Sequence, residues 1–311
     1  MNEEKQNIWK KDIFAVFKNR GVNFKWFSKS LKRIAIALVV IAAIFTISDE
    51  ASYYLGMGYY AEDYEDEYYD EGLVEENDGS CNVFGIELRG DMVTYITPDS
   101  FDYDGNLIYN ETSSEDIVFA IADAENDSSV KMILLEVDSY GGSPAAAEEV
   151  MMALKQAKKP TVVQIRQSGL SAAYWSATGA DTIFASENSD IGSIGVTMSY
   201  LDYSEQNKKE GIGYVQISSG KYKDAGDPDR ALTEEEKNLF MRDTKIIHEN
   251  FIKNVAENRN LDIDKVRELA DGSSMLGEMA LENGLIDRIG SFAEVKEYIK
   301  ETIGEEVDIC W

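Results

Sequence analysis

The sequence predicts an α/β domain, and three observations carry that prediction. Short apolar runs of strand length recur along residues 83–186, amphipathic helical segments separate the later ones, and helical periodicity dominates beyond Gly226. Strand, helix, strand, helix, strand at this spacing requires parallel strands joined by crossover helices.

Taken in order, "VFGIEL" from Val83 and "MILLEV" from Met132 are the first two strands, and "TVVQI" and "TIFAS" are the next two. Between "MILLEV" and "TVVQI" lies "SPAAAEEVMMALKQAKK". Ser143 is placed to cap it, Pro144 occupies its first position, and Lys158 and Lys159 close it. "SAAYWSATGA" is a shorter helix. "YVQI", from Tyr214, is strand-like. "TEEEKNLFMRDTKIIHENFIKNVAENR" reads as one long amphipathic helix with Leu239, Ile246, Ile247, Phe251 and Val255 as its apolar stripe. "LDIDKVRELA", "LGEMALENG" and "SFAEVKEYIKETIG" are further helices. With no internal repeat, one domain spanning residues 81–311 is expected.

Ahead of it, residues 1–30 are basic and residues 31–48 contain the uncharged run "IAIALVVIAAIFTIS". That run is shorter than an ideal span of about 20 residues, and flanking Lys32, Arg33 and aromatic residues complete it. No small-x-small site follows it, so an uncleaved anchor is expected, with the basic side cytoplasmic and the domain extracytoplasmic. Residues 49–80 lack Lys and Arg and alternate acids with tyrosines, the composition of a tether.

The net charge of −28 excludes nucleic acid as a partner, because phosphate binding needs a basic surface. Cys81 and Cys310 stand near the two ends of the domain, which leaves both a disulfide and two thiols open; their spacing fits no metal site. No cofactor or metal is expected.

Three serines, Ser168, Ser171 and Ser176, crowd the small-residue stretch "QSGLSAAYWSATGAD". The sole histidine, His248, lies in the long helix, remote in sequence from any glycine-rich loop, and reads as structural. A lysine is the alternative base. It works only when neutral, and Lys221 and Lys223 in "SSGKYKDAGDP" are the two lysines outside solvated helix faces. In "VDSYGGSP" the Gly141–Gly142 pair joins a strand to a helix, where backbone N–H groups can approach a ligand closely. "DIGSIGV" offers a similar turn at Ser193.

Together and in this order, "VDSYGGSP", "GLSAAYWSATGADTIFAS", "IGSIGV" and "SGKYKDAGDP" resemble the signal peptide peptidase A family of membrane-anchored serine peptidases. "FIKNVAENR" and "GEMALENGLIDRIGSFAEV" resemble its C-terminal signatures, so the resemblance runs from about Val83 to Ile299. Matching the family's Ala-Asp to Ala180 and Asp181 implies Ser171 as nucleophile, and the Ser-Gly-x-x-Lys loop implies Lys223 as general base. The resemblance also implies an oxyanion hole from Gly141, Gly142 and Ala172, and Ser193 as the partner that holds the lysine. The implied fold is a crotonase-like or Clp-protease-like spiral α/β core with C-terminal helices behind a transmembrane anchor. Members form homo-oligomers in which serine and lysine can come from neighbouring protomers. The implied activity is endoproteolysis of cleaved signal peptides or similar apolar peptides at the cell membrane. Two departures stand out: Ala172 and Ala173 replace the usual Gly-Gly, and Tyr140 replaces a proline. The altered glycines motivate an alternative, an inactive membrane-tethered scaffold or peptide-binding module. Acyl-CoA chemistry on a crotonase-like core is disfavoured, because an anchored domain would lie away from CoA.

Overall fold

The computed structural model describes residues 81–97, 100 and 110–311; the expected anchor and tether lie outside the described residues. The described residues from Cys81 to Trp311 form one compact unit. Its strands are β1 (Val83–Val93), β2 (Glu111–Ser113), β3 (Met132–Gly142), β4 (Thr161–Leu170), β5 (Thr182–Ala185), β6 (Asp190–Gly192), β7 (Ser274–Leu276), β8 (Arg288–Ile289) and β9 (Ile309–Cys310). The helices are α1 (Ser114–Asn126), α2 (Pro144–Gln156), α3 (Ala172–Ala177), α4 (Ser204–Glu210), α5 (Glu234–Asn258), α6 (Ile263–Leu269), α7 (Gly277–Glu282) and α8 (Phe292–Ile303).

The strands make one mixed sheet in the order β2-β1-β3-β4-β5-β8, with β9 beside β1 and β6 beside β4. Every pairing is parallel except β6 with β7. Parallel strands need crossovers, and α2 supplies one between β3 and β4 as its sequence pattern predicts.

Alternation along β3 divides the core in two. Ile133, Leu135 and Val137 face a large cluster built with Ala146, Val150, Trp175, Phe251 and Val255. Met132 and Leu134 face a smaller cluster that Val295 and Ile299 of α8 close. Farther along that second face the strands turn polar: buried Glu136 on β3 binds Arg89 of β1 (3.0 Å) and Arg166 of β4 (2.8 Å).

Helix α5 departs from its expected stripe. Phe251, Ile252 and Val255 are buried, but Leu239 and Ile247 are only half-buried and Ile246 is exposed. Its start is fixed by a capping box in which Thr233 and Glu236 each satisfy the other's backbone N–H. "YVQI" is not a strand. Val215 and Ile217 stand 79% and 94% exposed, because no described strand lies beside them to complete a ladder. Cys81 and Cys310 form a disulfide, their Cα atoms 5.7 Å apart where β9 pairs with β1, which resolves the two open alternatives.

Candidate active site

Three neighbouring parallel strands, β3, β4 and β6, end together, and the site is built from the residues that follow them. Ligands of open α/β sheets bind at the carboxyl ends of strands, where loops converge without blocking the sheet. Register aligns Ser139 with Gly169 and Leu170 with Gly192, so Gly141, Ser171 and Ser193 arrive side by side.

Ser171 sits between β4 and α3 at φ 51° and ψ −122°, a conformation that L-residues rarely adopt. Its N–H donates to the Gly192 carbonyl (2.8 Å), and its own carbonyl accepts from Trp175 N–H (2.9 Å) as the helix begins. These two bonds hold the sharp turn and expose the hydroxyl at the strand end.

Gly141 explains the glycine pair. A Cβ there would lie 2.8 Å from Ser171 Cβ and 2.9 Å from Ala172 N, and the residue has φ +112°. Only glycine admits this contact. Its N–H donates to Ser139 Oγ (3.0 Å), so its contribution is space beside the serine. At Gly142 a Cβ would meet the Met92 carbonyl oxygen at 2.3 Å. Ala172 and Ala173 are buried and helical, and neither has positive φ. Their methyl groups therefore sit without strain where the resemblance leads one to expect glycines.

A cleft of about 560 Å³ opens over Ser171, lined by Gly142, Ala172, Ser193, Trp175, His248 and Phe251 among others. Exposed Tyr140, at the family's proline position, stands on its rim. Ser193 has φ 50° and donates its hydroxyl to the Gly272 carbonyl (3.1 Å). Ser168 and Ser176 are buried; Ser176 Oγ donates back to the Ala172 carbonyl (2.9 Å). Of the three crowded serines, only Ser171 faces the cleft.

Two side chains brace the serine turn from behind. Tyr174 donates to the Leu285 carbonyl (2.8 Å), and its burial pushes its phenol well above the usual tyrosine range. Asp181 of the Ala-Asp landmark accepts from Thr161 N–H (2.8 Å) and Oγ1 (3.0 Å), which ties the end of the α3 turn to the start of β4.

Lys223 is not among the residues lining the cleft. It is exposed on the loop between α4 and α5, and its amine has no hydrogen bond or ion pair among the described residues. Lys221 ion-pairs with Glu235. The loop itself is firmly tied. Tyr214 donates to the Asp224 carboxylate, and Arg230 Nη2 donates to the Asp224 carbonyl (2.5 Å) and to Glu236 (2.5 Å). The Arg230 guanidinium, with the Thr233 amide, holds the Glu236 carboxyl down to about 2. The single chain thus assembles Ser171, Gly141, Gly142, Ala172 and Ser193, and presents Lys223 elsewhere on an anchored loop.

Sequence reasoning missed His248 as a cleft residue. Its position three residues before Phe251 is the signal, since i and i+3 share a helix face. Phe251 in turn stacks on Trp175 (centroids 4.6 Å, 6° between planes), one turn from Ser171. Among the described residues no cluster of His, Cys, Asp or Glu is arranged to hold a metal ion, and no helix is long and apolar enough to cross a membrane.

Residues 153–306 match the model of Peptidase family S49. The chain is 38% identical over 196 residues to a protein of Methanocaldococcus jannaschii assigned as a protease, covering 61% of this chain and 63% of that one. It is 35% identical over 180 residues to a protein of Enterococcus faecium assigned as signal peptide peptidase SppA, covering 57% and 52%. Protease 4 of Haemophilus influenzae is 28% identical over 248 residues, covering 75% of this chain and 40% of that one. The matched region spans less than two thirds of each relative's length. Among solved structures, the membrane-bound stomatin-specific protease 1510-N aligns with a TM-score of 0.43 at 17% identity, covering 70% of this chain and 84% of that one. ClpP1 of Listeria monocytogenes aligns at 0.42 and 13%, covering 67% and 91%.

Proposed function

We propose that this chain is a member of peptidase family S49, of its signal peptide peptidase A group, and a serine endopeptidase with Ser171 as nucleophile and Lys223 as general base. The observation that carries the reading is the strained Ser171 turn, pressed against Gly141 and open to the cleft. Strain of this kind is retained where the surrounding structure enforces it for function.

The neutral Lys223 amine takes the proton from Ser171 Oγ as that oxygen attacks a peptide carbonyl. The amides of Ala172 and Gly142 receive the oxyanion, and the protonated lysine gives its proton to the leaving amine. Water, deprotonated by the same lysine, then releases the acyl group from Ser171.

Lys223 reaches Ser171 from a neighbouring copy of the chain. Supporting this is the apolar surface around its loop: Met198, Leu201, Val215 and Ile217 are exposed, beside the half-uncovered start of α5. A second copy seated there covers those side chains, offers "YVQI" a strand partner, and buries the lysine, which favours its neutral form. The substrates are apolar peptides such as signal-peptide remnants, in keeping with the Trp175, Phe251, Val196 and Ala270 lining. Residues 31–48 anchor the chain in the cell membrane with the peptidase domain extracytoplasmic. The Cys81–Cys310 disulfide supports an oxidising compartment. The scaffold alternative loses its motive, because Ala172 and Ala173 fit without strain.

The test is cleavage of an apolar fluorogenic peptide by the full chain in detergent. Wild type cleaves it, and Ser171→Ala and Lys223→Ala each lose activity by about 100-fold or more. Mixing the two variants restores part of it, because a mixed oligomer contains intact Ser171–Lys223 pairs. Retention of activity by both variants contradicts the assignment.

A further inference from the structure

A base that takes the proton from Ser171 Oγ must come within about 2.6–3.2 Å of it, so the backbone beneath the lysine has to be held as firmly as the serine is. Lys223 lies in an exposed turn whose own backbone bonds are local: Lys223 N–H to the Gly220 carbonyl (3.1 Å), Ala225 N–H to that of Tyr222 (3.2 Å) and Asp227 N–H to that of Asp224 (3.4 Å). Bonds between residues three apart close a turn without fixing where it stands on the protein.

Arg230 supplies that fixing. Its guanidinium makes a forked pair with Glu236, Nη1 to Oε2 (3.0 Å) and Nη2 to Oε1 (2.5 Å). Nη2 also donates to the carbonyl of Asp224, the residue after Lys223 (2.5 Å). Glu236 in turn accepts from Thr233 N–H (2.9 Å) and Oγ1 (2.9 Å) at the start of α5, the helix whose Phe251 and Val255 lie in the core. A continuous chain of bonds thus leads from a core helix to the residue beside the lysine.

The pair is buried where its neighbours are not. The Arg230 side chain is 17% exposed and that of Glu236 5%, while Lys221, Tyr222, Lys223, Pro228 and Asp229 are all exposed. Desolvating two charges costs about as much as their attraction returns, so an intact pair adds little beyond what apolar side chains of the same volume would; what it supplies is directional geometry. Here that geometry is aimed at the Asp224 carbonyl. The Asp224 carboxylate is engaged too: one oxygen accepts from Tyr214 and lies 3.9 Å from Arg230 Nε. A carboxylate on the next residue, left to pair with Lys223, would hold the amine protonated and useless as a base.

We propose that Arg230, anchored by Glu236, is a positioning residue for Lys223: it holds the lysine turn where the amine reaches Ser171 of the neighbouring copy, and keeps Asp224 from pairing with that amine. This deepens the peptidase reading and rests on it.

The test uses mixed oligomers of the full chain in detergent. Arg230→Ala alone lowers kcat for an apolar fluorogenic peptide by about tenfold or more with KM within twofold, because the base is displaced while the Ser171 cleft is untouched. Mixed with Ser171→Ala, it recovers activity severalfold, since its own Ser171 is then served by a correctly held lysine from the neighbouring chain. Mixed with Lys223→Ala it does not, since no chain in that oligomer offers a held lysine. Arg230→Lys repeats the pattern with a smaller loss, because one ammonium cannot make the forked pair and the carbonyl bond together, and it serves where Arg230→Ala does not fold. Full activity in both variants, equal recovery in the two mixtures, or recovery in neither overturns the proposal. Ser171→Ala mixed with Lys223→Ala is the reference. If that mixture recovers activity and the Arg230 variants break the pattern, only the positioning role is refuted; if it recovers none, the pairing of Ser171 with a neighbour's Lys223 is refuted and the positioning role falls with it.

Discussion

Replacing Gly141 with alanine tests the geometry of the nucleophile without touching it. The new Cβ would lie 2.8 Å from Ser171 Cβ and 2.9 Å from Ala172 N, where ordinary contact begins at 3.4 Å. Something must move by roughly half an ångström, and the neighbours are the serine itself and the first amide of α3, neither of them a flexible side-chain end. The backbone at φ +112° adds a cost of about 1–3 kcal/mol for any L-residue. A reacting group misplaced by about 1 Å loses on the order of 100-fold in rate, so a shift of half that size costs about tenfold or more. Gly211 is the control. It also has positive φ, +75°, but no atom lies within 4 Å of its would-be Cβ. The assay is the second-order rate of Ser171 acylation by a fluorophosphonate, alongside urea unfolding. Gly141→Ala slows acylation by tenfold or more and lowers stability. Gly211→Ala lowers stability by about 1 kcal/mol and leaves acylation within twofold. Gly141→Ala that acylates at the wild-type rate refutes the close-approach reasoning.

Two further outcomes follow from the same structure. Reducing the Cys81–Cys310 bond, or replacing Cys310 with serine, frees a loop of 229 residues of sequence separation and costs about 2–5 kcal/mol, read as a lower urea midpoint. Glu236, held down to about 2 by Arg230, has a folded value below its unfolded value of about 4.5, so its stabilisation is present above pH 4.5 and is lost as pH falls towards 2. Glu236→Gln lacks that contribution at neutral pH, loses about 2 kcal/mol there, and shows a shallower decline in stability between pH 4.5 and 2 than wild type; parallel curves contradict this.

Much of the α/β core was legible because its signals are local. The apolar runs "MILLEV" and "TVVQI" and the Ser143–Pro144 start of α2 each specify one element. The strands extend past those runs into Asp138–Gly142 and Arg166–Leu170, where pairing with neighbours takes over from hydrophobicity. "YVQI" shows the reverse: strand propensity without a strand partner leaves an exposed extended segment. Along α5, periodicity gave the helix correctly but not its depth, since its fully buried apolar residues all lie in the last third, from Phe251 onwards. The site was partly legible for the same reason. Ser171 and the glycine pair lie at strand ends that the pattern marks. The cleft face of His248 depends on how α5 rests on Trp175, a tertiary contact that spacing to the glycine loops does not reveal.

Ser171 as nucleophile is tested by mass-spectrometric mapping of the adduct formed when the folded full chain meets a fluorophosphonate. One adduct is expected, on the peptide containing Ser171, absent from Ser171→Ala and strongly slowed in Lys223→Ala. An adduct on another serine, or none on a folded oligomer, contradicts it.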